Sequence, residues 1–434
     1  MNVARFFPKK FAQSLRRGTS RIRRSLQEYR LYSYLAVLGP GLIAAAAGDE
    51  VSGIATYSSA GADYGYTLLW TFVPMTIFFI VAQEMCVRMG VVTGQGLADL
   101  IREQFGVRWT ALVMLALLFA NFGIIIAEFI GIAQASMIFG IPSYLTVPLT
   151  AIGIWWLVVR GTPKRVEKVF LLMSLVFLAY VIAAFAAKPD WGTIGQEMLR
   201  PTFHLDSGYL FTVMALIGTT ITPFMQIYVQ SGVVEKGLDK EDLGLARADA
   251  IVGVIFANLI AAFILISTAA TLHSRGVHIE TAADAAQALV PVVGQFAEYL
   301  FGVGLFGAAM LAMGVLPLAT AYSLSEALGF EKGISRSFRE APIFLGIFTA
   351  LIILGAVVAL IPNVPQFKLL LWTQCINGLL LPVLLIAIVL LANRSDLMGE
   401  YRNRFIHNVF AFGTTSVVSI LSLLLIGKTL ADMF

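Results

Sequence analysis

The chain has 434 residues, of which 58% are hydrophobic and only 13% charged, against about a quarter charged in soluble domains. That leaves too little polar surface to cover a water-soluble fold, and the long apolar stretches match the roughly 20 residues with which a helix crosses a bilayer. The net charge of +4 calls for no nucleic acid, and the two cysteines, Cys86 and Cys375, each sit inside an apolar run, which excludes a disulfide framework and a cysteine–metal cluster.

Residues 1–34 carry nine basic residues and one acid, Glu28, and read as a cytoplasmic arm on the anionic inner leaflet. A signal peptide is the weaker reading, because cleavage near Ala44–Ala47 would destroy the most unusual segment of the chain. Apolar runs bounded by charge, Gly and Pro then predict eleven spans. Five lie near 35–62, 66–88, 109–137, 143–160 and 168–187, five more near 208–234, 249–272, 294–325, 342–362 and 367–393, and the eleventh near 408–429. The chain thus divides into the arm, a first five-helix repeat (35–205), a second (206–393), and a connecting segment with a last helix (394–434). With the N-terminus inside, 25 of the 30 Lys and Arg residues fall on the cytoplasmic side of this alternation, leaving Lys188, Arg200, Arg275, Lys368 and Lys428. The split supports both the span count and a multi-pass plasma-membrane protein with an inward N-terminus.

The first span holds Gly48-Asp49-Glu50-Val51-Ser52-Gly53. Two adjacent carboxylates near mid-membrane are costly unless they face a polar cavity or a cation; the bland alternative is an acid pair at a helix end. The sixth span is interrupted at Gly218-Thr219-Thr220-Ile221-Thr222-Pro223-Phe224-Met225-Gln226, where Pro223 removes a backbone donor and frees a carbonyl. Each break falls in the first helix of a five-helix set, as in an inverted-repeat transporter with a midplane site.

Gly39-Pro40-Gly41, Ile54-Ala55-Thr56, Ala60-Gly61, Gly65 to Trp70 and Met89 to Gly94 resemble the opening of the Nramp divalent-metal transporters, as do Ala127-Glu128, Gln374 eight residues before Pro382, and Arg394 to Gly399. The resemblance covers roughly residues 36–400. It implies an all-α, LeuT-like fold of five plus five inverted helices with discontinuous first and sixth helices and one extra helix, with the ion site between the breaks. Counted back from Gly61, the family's Asp-Pro-Gly-Asn motif falls on Glu50-Val51-Ser52-Gly53, so its ligand Asp becomes Glu50 and its ligand Asn becomes Gly53; whether Asp49 or Glu50 meets the ion stays open. The family's Gly-Ala-Thr-Val-Met-Pro-His falls on Gly218 to Phe224, so its Met becomes Thr222 and its His becomes Phe224. The candidate metal-binding set is Asp49, Glu50, Gly53, Thr219, Thr222 and Gln374.

Exchanging a thioether for a hydroxyl makes a site harder, and a roomier oxygen-lined site suits Mg²⁺, which dehydrates reluctantly. The pattern is similar to the Nramp-related magnesium transporters, with Mn²⁺ as a second substrate. The family's acid three residues before Glu128 is here Ile125, and with Phe224 in place of His two titratable groups of a proton relay are hydrocarbon. Transport without a coupled proton is therefore expected. A divalent ion crossing 100 mV gains about 4.6 kcal/mol, enough for roughly a thousandfold accumulation.

Two readings stand side by side for Glu128, a relay acid or a hydrogen-bonded structural carboxyl. Gln374 and Asn377 share the tenth span, and Gln374 either orients a coordinated water or packs between helices. Glu84 with Arg88 one turn on reads as structural, as do Asn258 and Pro317, while Gln226 and Tyr228 lie just past the sixth-span break. A transported Mg²⁺ or Mn²⁺, the bilayer, no resident cofactor and a monomer complete the expectation. Rival functions are a proton-coupled Mn²⁺/Fe²⁺ carrier of the Nramp type, a LeuT-fold amino-acid carrier, an intramembrane hydrolase using Asp49 and Glu50, and a channel. Acids at the first break argue against an anionic substrate, no nucleophile motif supports an enzyme, and a channel needs a continuous pore.

Overall fold

A computed structural model describes residues 39–161, 163–174, 177–279, 284–285, 297–334, 336–361 and 366–433. The basic arm predicted over 1–34 lies outside them. Seventeen α-helices are numbered here in chain order, and no strand occurs among the described residues.

The predicted first span is two short helices, α1 (Pro40–Ala46) and α2 (Val51–Tyr64). After a 3-10 turn, α3 (Phe72–Thr93) forms the second passage, and the amphipathic α4 (Leu97–Phe105) follows. Next come α5 (Val107–Ile138) and α6 (Ser143–Arg160). The fifth passage, expected over 168–187, is described as α7 (Pro163–Ser174) and α8 (Leu178–Ala186), and residues 175–176 between them lie outside the described residues. A short α9 (Trp191–Leu199) precedes the sixth passage, α10 (Ser207–Thr220) and α11 (Pro223–Glu235). The remaining passages are α12 (Leu243–Thr271), α13 (Ala297–Leu328), α14 (Pro342–Ala359), α15 (Gln366–Asn393) and, after the single turn α16 (Ser395–Met398), α17 (Phe405–Met433). Nine stretches among the described residues are helical, apolar and long enough to cross a membrane; α1–α2 and α7–α8 bring the passages to eleven.

The interior is arranged around the two breaks. The third helices of the two repeats, α5 and α13, pack along one another; α10 packs on α15, and α12 runs beside α1, α2 and α3. The start of α1 is held by Asp249 of α12, whose carboxylate accepts the Gly39 N–H at 3.1 Å and the Gly41 N–H at 2.7 Å. The backbones touch there: a Cβ added to Gly41 would lie 2.6 Å from Ala250, and one on Gly253 2.7 Å from Leu42. Small residues thus let α1 approach closely enough to be capped by a side chain of another helix.

Charge gathers at one end of the bundle. Arg88 holds Glu84 through two 3.1 Å contacts and also donates to the Tyr401 carbonyl and to Asn403 Oδ1, while Arg247 reaches Glu84 at 2.7 Å. Glu326 accepts from Ser231 and from the Ala98 N–H, and Lys332 bridges it to Asp99. The expected structural roles of the Glu84–Arg88 pair and of Asn258, which donates to Thr76 at 2.7 Å, agree with these contacts.

Candidate metal centre

Residues 47–50 separate α1 from α2 and residues 221–222 separate α10 from α11, so two helix C-termini and two N-termini meet inside the protein. The ends of α1 and α10 bring carbonyl oxygens, partially negative, and the starts of α2 and α11 bring N–H groups. Asp49 and Glu50 are each 1% exposed, so the acid pair lies in the interior and not at a surface helix end. Glu50 accepts a hydrogen bond from Gln374 Nε2 of α15.

The second break has a self-contained local cause. Pro223 cannot donate to the Thr219 carbonyl one turn back, and the Thr222 hydroxyl supplies that bond instead at 2.9 Å. The predicted ligand Thr222 thus turns its oxygen onto its own chain. Thr219 Oγ1 reaches across to the Gly48 carbonyl at 3.5 Å, and Tyr57 Oη lies 3.1 Å from Thr220 Oγ1, so hydroxyls stitch one break to the other. Gly53 belongs here by what it lacks. A Cβ on it would stand 2.6 Å from the Gly48 carbonyl and 2.8 Å from Thr219 Oγ1, so a side chain would push the two breaks apart.

Gln374 is positioned by a close crossing of α10 and α15. A Cβ on Gly218 would fall 1.9 Å from the Gln374 carbonyl, and one on Gly378 2.5 Å from that of Met214. Glycines one from each helix let the backbones meet, which sets the height at which Gln374 faces Glu50.

Of the two readings of Glu128, its contacts favour the structural one: its Oε2 accepts the Val51 N–H at 3.2 Å and so caps α2 from α5. Gly131 allows the approach, since a Cβ there would strike the Val51 side chain at 2.4 Å. The cap depends on a helix 77 residues away, and no local pattern announced it. Sequence reasoning also passed over Met225, whose thioether lies against the first break; a Cβ on Gly48 would meet its methyl at 2.2 Å and its sulfur at 3.4 Å. Ile125 and Phe224 are fully buried, and Ile125 packs against Gly355 of α14.

The breaks leave oxygen atoms over. Asp49 Oδ2, Glu50 Oε2, Glu128 Oε1, Gln374 Oε1 and Ser52 Oγ are buried and make no hydrogen bond, each an arrangement that disfavours folding by about 1–3 kcal/mol if nothing else binds it. Among the described residues no three His, Cys, Asp or Glu side chains form a cage for a bare metal ion. The donors offered are carboxylate, amide, hydroxyl and carbonyl oxygens, a set chemically suited to a hard cation that keeps part of its water.

The family Nramp, described as natural resistance-associated macrophage protein-like, matches residues 41–428. The chain is similar to a divalent metal cation transporter MntH of Caldanaerobacter subterraneus subsp. tengcongensis, 26% identical over an alignment of 413 residues, with 92% of this chain and 94% of that one covered. It is 28% identical over 428 residues to MntH of Ralstonia nicotianae, with 92% of each chain covered. Among solved structures it resembles a manganese transporter of Eremococcus coleocola, with a TM-score of 0.75 at 19% identity, covering 92% of this chain and 88% of that one. It also resembles MhsT in complex with L-phenylalanine, with a TM-score of 0.56 at 14% identity, covering 89% and 98%. The two structural likenesses speak for the fold alone, and that fold is the LeuT-like arrangement expected from the sequence.

Proposed function

This chain belongs to the Nramp family, and we propose that it is a divalent-cation transporter that carries hydrated Mg²⁺, and Mn²⁺ with it, into the cell by alternating access and without a coupled proton. Asp49, Glu50, Gln374 and Thr219 and the carbonyls at the end of α1 are the groups that would meet the ion or its waters, with Gly53 letting the Gly48 carbonyl and the Thr219 hydroxyl approach and Thr222 holding the Thr219 carbonyl in place. The observation that carries the reading is the all-oxygen set left unpartnered at the first break; Ile125 and Phe224, both buried hydrocarbon, offer nothing to titrate. Placing the basic loops in the cytoplasm sets the N-terminus inside the plasma membrane.

The relatives bear the names divalent metal cation transporter and manganese transporter. A proton-coupled manganese carrier is therefore the second reading, and the thioether of Met225 beside Gly48 is the feature that favours it.

Flux into proteoliposomes decides between them, with Mg²⁺, Mn²⁺ and Ca²⁺ offered in competition and a pH dye inside. The expected result is saturable uptake of Mg²⁺ and Mn²⁺, exclusion of Ca²⁺, no internal acidification, and uptake lost in Glu50→Ala and in Asp49→Ala. Mn²⁺ uptake with a stoichiometric proton signal and no Mg²⁺ flux overturns the first reading in favour of the second. Wild-type rates in both alanine variants overturn the site.

A further inference from the structure

Two buried glutamines lie outside the constellation already described. Gln83 of α3 and Gln226 of α11 are each 0% exposed, and none of their four amide atoms has a hydrogen-bond partner. A side-chain amide carries two donors and an acceptor with two lone pairs, and buried amides are almost always paired. Two wholly unpaired ones on neighbouring helices point to something that pairs them in the working protein.

Helix geometry puts the two residues on the facing sides of their helices. A Cβ on Gly90 of α3 would touch the Gln230 carbonyl at 3.1 Å and the Gln230 Cγ at 3.2 Å, so Gly90 and Gln230 mark the mutual faces of α3 and α11. Gln83 precedes Gly90 by seven residues, two turns, and so shares its face; Gln226 precedes Gln230 by four and shares that one. The two helices run the same way, because the segment after α3 and the last turns of α11 both meet Glu326, through the Ala98 N–H and the Ser231 hydroxyl. At about 1.5 Å per residue, Gln83 then lies some 10 Å and Gln226 some 6 Å before the Gly90–Gln230 contact, an offset that two long side chains span.

This level is one turn beyond Thr222, between the helix breaks and the end of the bundle that carries the Glu84–Arg88 and Glu326–Lys332 clusters. Further along the same face, Gln230 Nε2 donates to the Gln95 carbonyl at 3.0 Å while its Oε1 is unpartnered. Thr222, Gln226 and Gln230 thus form a polar stripe at four-residue spacing on a helix whose surroundings are apolar.

We propose that Gln83 and Gln226 form an amide station on the cytoplasmic side of the breaks, where their oxygens accept from the coordinated waters of the departing ion and their N–H groups bond the waters beyond. The station rests on the transport reading above. It explains how an ion that keeps its water leaves a site lined by carboxylates without passing directly into hydrocarbon, and it assigns to neutral amides a step at which a further carboxylate would hold the ion too tightly.

The test is Mg²⁺ and Mn²⁺ uptake in proteoliposomes for Gln83→Leu, Gln226→Leu, the double variant and Gln226→Asn. Each leucine variant should lose at least tenfold in maximal rate with less than a twofold change in the concentration giving half-maximal uptake, and the loss should be greater for Mg²⁺ than for Mn²⁺, which exchanges its water more readily. Gln226→Asn, which keeps the amide, should recover to within about threefold of wild type, and the double variant should be little slower than the worse single one. Mn²⁺ binding to the purified variants in detergent, expected to be unchanged, separates the step from misfolding. Wild-type rates in both leucine variants, or a loss carried by weaker binding, overturns the station. A wild-type protein that moves neither ion fails the transport reading itself, a result visible before any variant is made.

Discussion

Gly53 stands where the family carries a ligand asparagine, and the structure gives the exchange a steric reason. The space that a side chain would take is filled by the Gly48 carbonyl and the Thr219 hydroxyl, so none fits without moving the breaks apart. Gly53→Ala is expected to place a methyl 2.6 Å from that carbonyl and to lower Mg²⁺ uptake at least tenfold, while Ala55→Gly on the same helix leaves it within twofold; initial rates in proteoliposomes check both. Residue type and spacing are enough to single out Asp49 and Glu50, because charge stands out against an apolar background, whereas Gln374 is singled out by the family resemblance. Glu128 as a cap and Met225 as a neighbour of Gly48 were not readable in that way. Both depend on which glycine faces which helix, and that is settled only by packing.

Helix breaks announce themselves through Gly, Pro and acid residues, so both discontinuities are legible in the sequence to within a few residues. By contrast α4 and α9, nine residues each, are too short for an apolar periodicity to rise above the neighbouring spans. The crossing of α10 on α15 is the contact that sets the geometry of the site from a distance. Gly218→Ala should force those helices apart, lowering stability by about 1–3 kcal/mol as overpacking does, and should carry Gln374 away from Glu50. A lower midpoint in thermal unfolding in detergent, together with slower Mg²⁺ uptake, is the expected pair of results; an unchanged midpoint removes the crossing from the account.

Across the molecule, the low charge content that first marked the chain as a membrane protein resolves into two populations. Asp49, Glu50 and Glu128 lie buried at the breaks, while Glu84, Arg88, Asp249 and Glu326 are buried in contacts that tie helices together. The Glu84–Arg88–Arg247 group ties α3, α12 and the segment before α17 together with side chains only 3% and 10% exposed at its first pair. Removing one member of such a buried group disfavours folding by about 3–5 kcal/mol, so Arg88→Leu should lower the unfolding midpoint by several degrees. Arg336, whose contacts to Glu331 and Glu340 are 3.9 and 4.0 Å long and well exposed, should tolerate Ala with no measurable change. Thermal unfolding of the two variants side by side checks the contrast.

The grip of Asp249 on the start of α1 bears on how that helix can move. Two N–H groups share one carboxylate, and the backbones of Gly41 and Ala250, and of Leu42 and Gly253, are already at contact. A seven-residue helix seated this way has no shallow intermediate position: a small tilt breaks both hydrogen bonds together and strands a buried carboxylate. Its departure from α12 is therefore all-or-none, like a snap fastener and unlike a spring, and traffic past it would come in discrete openings separated by a barrier that Asp249 sets.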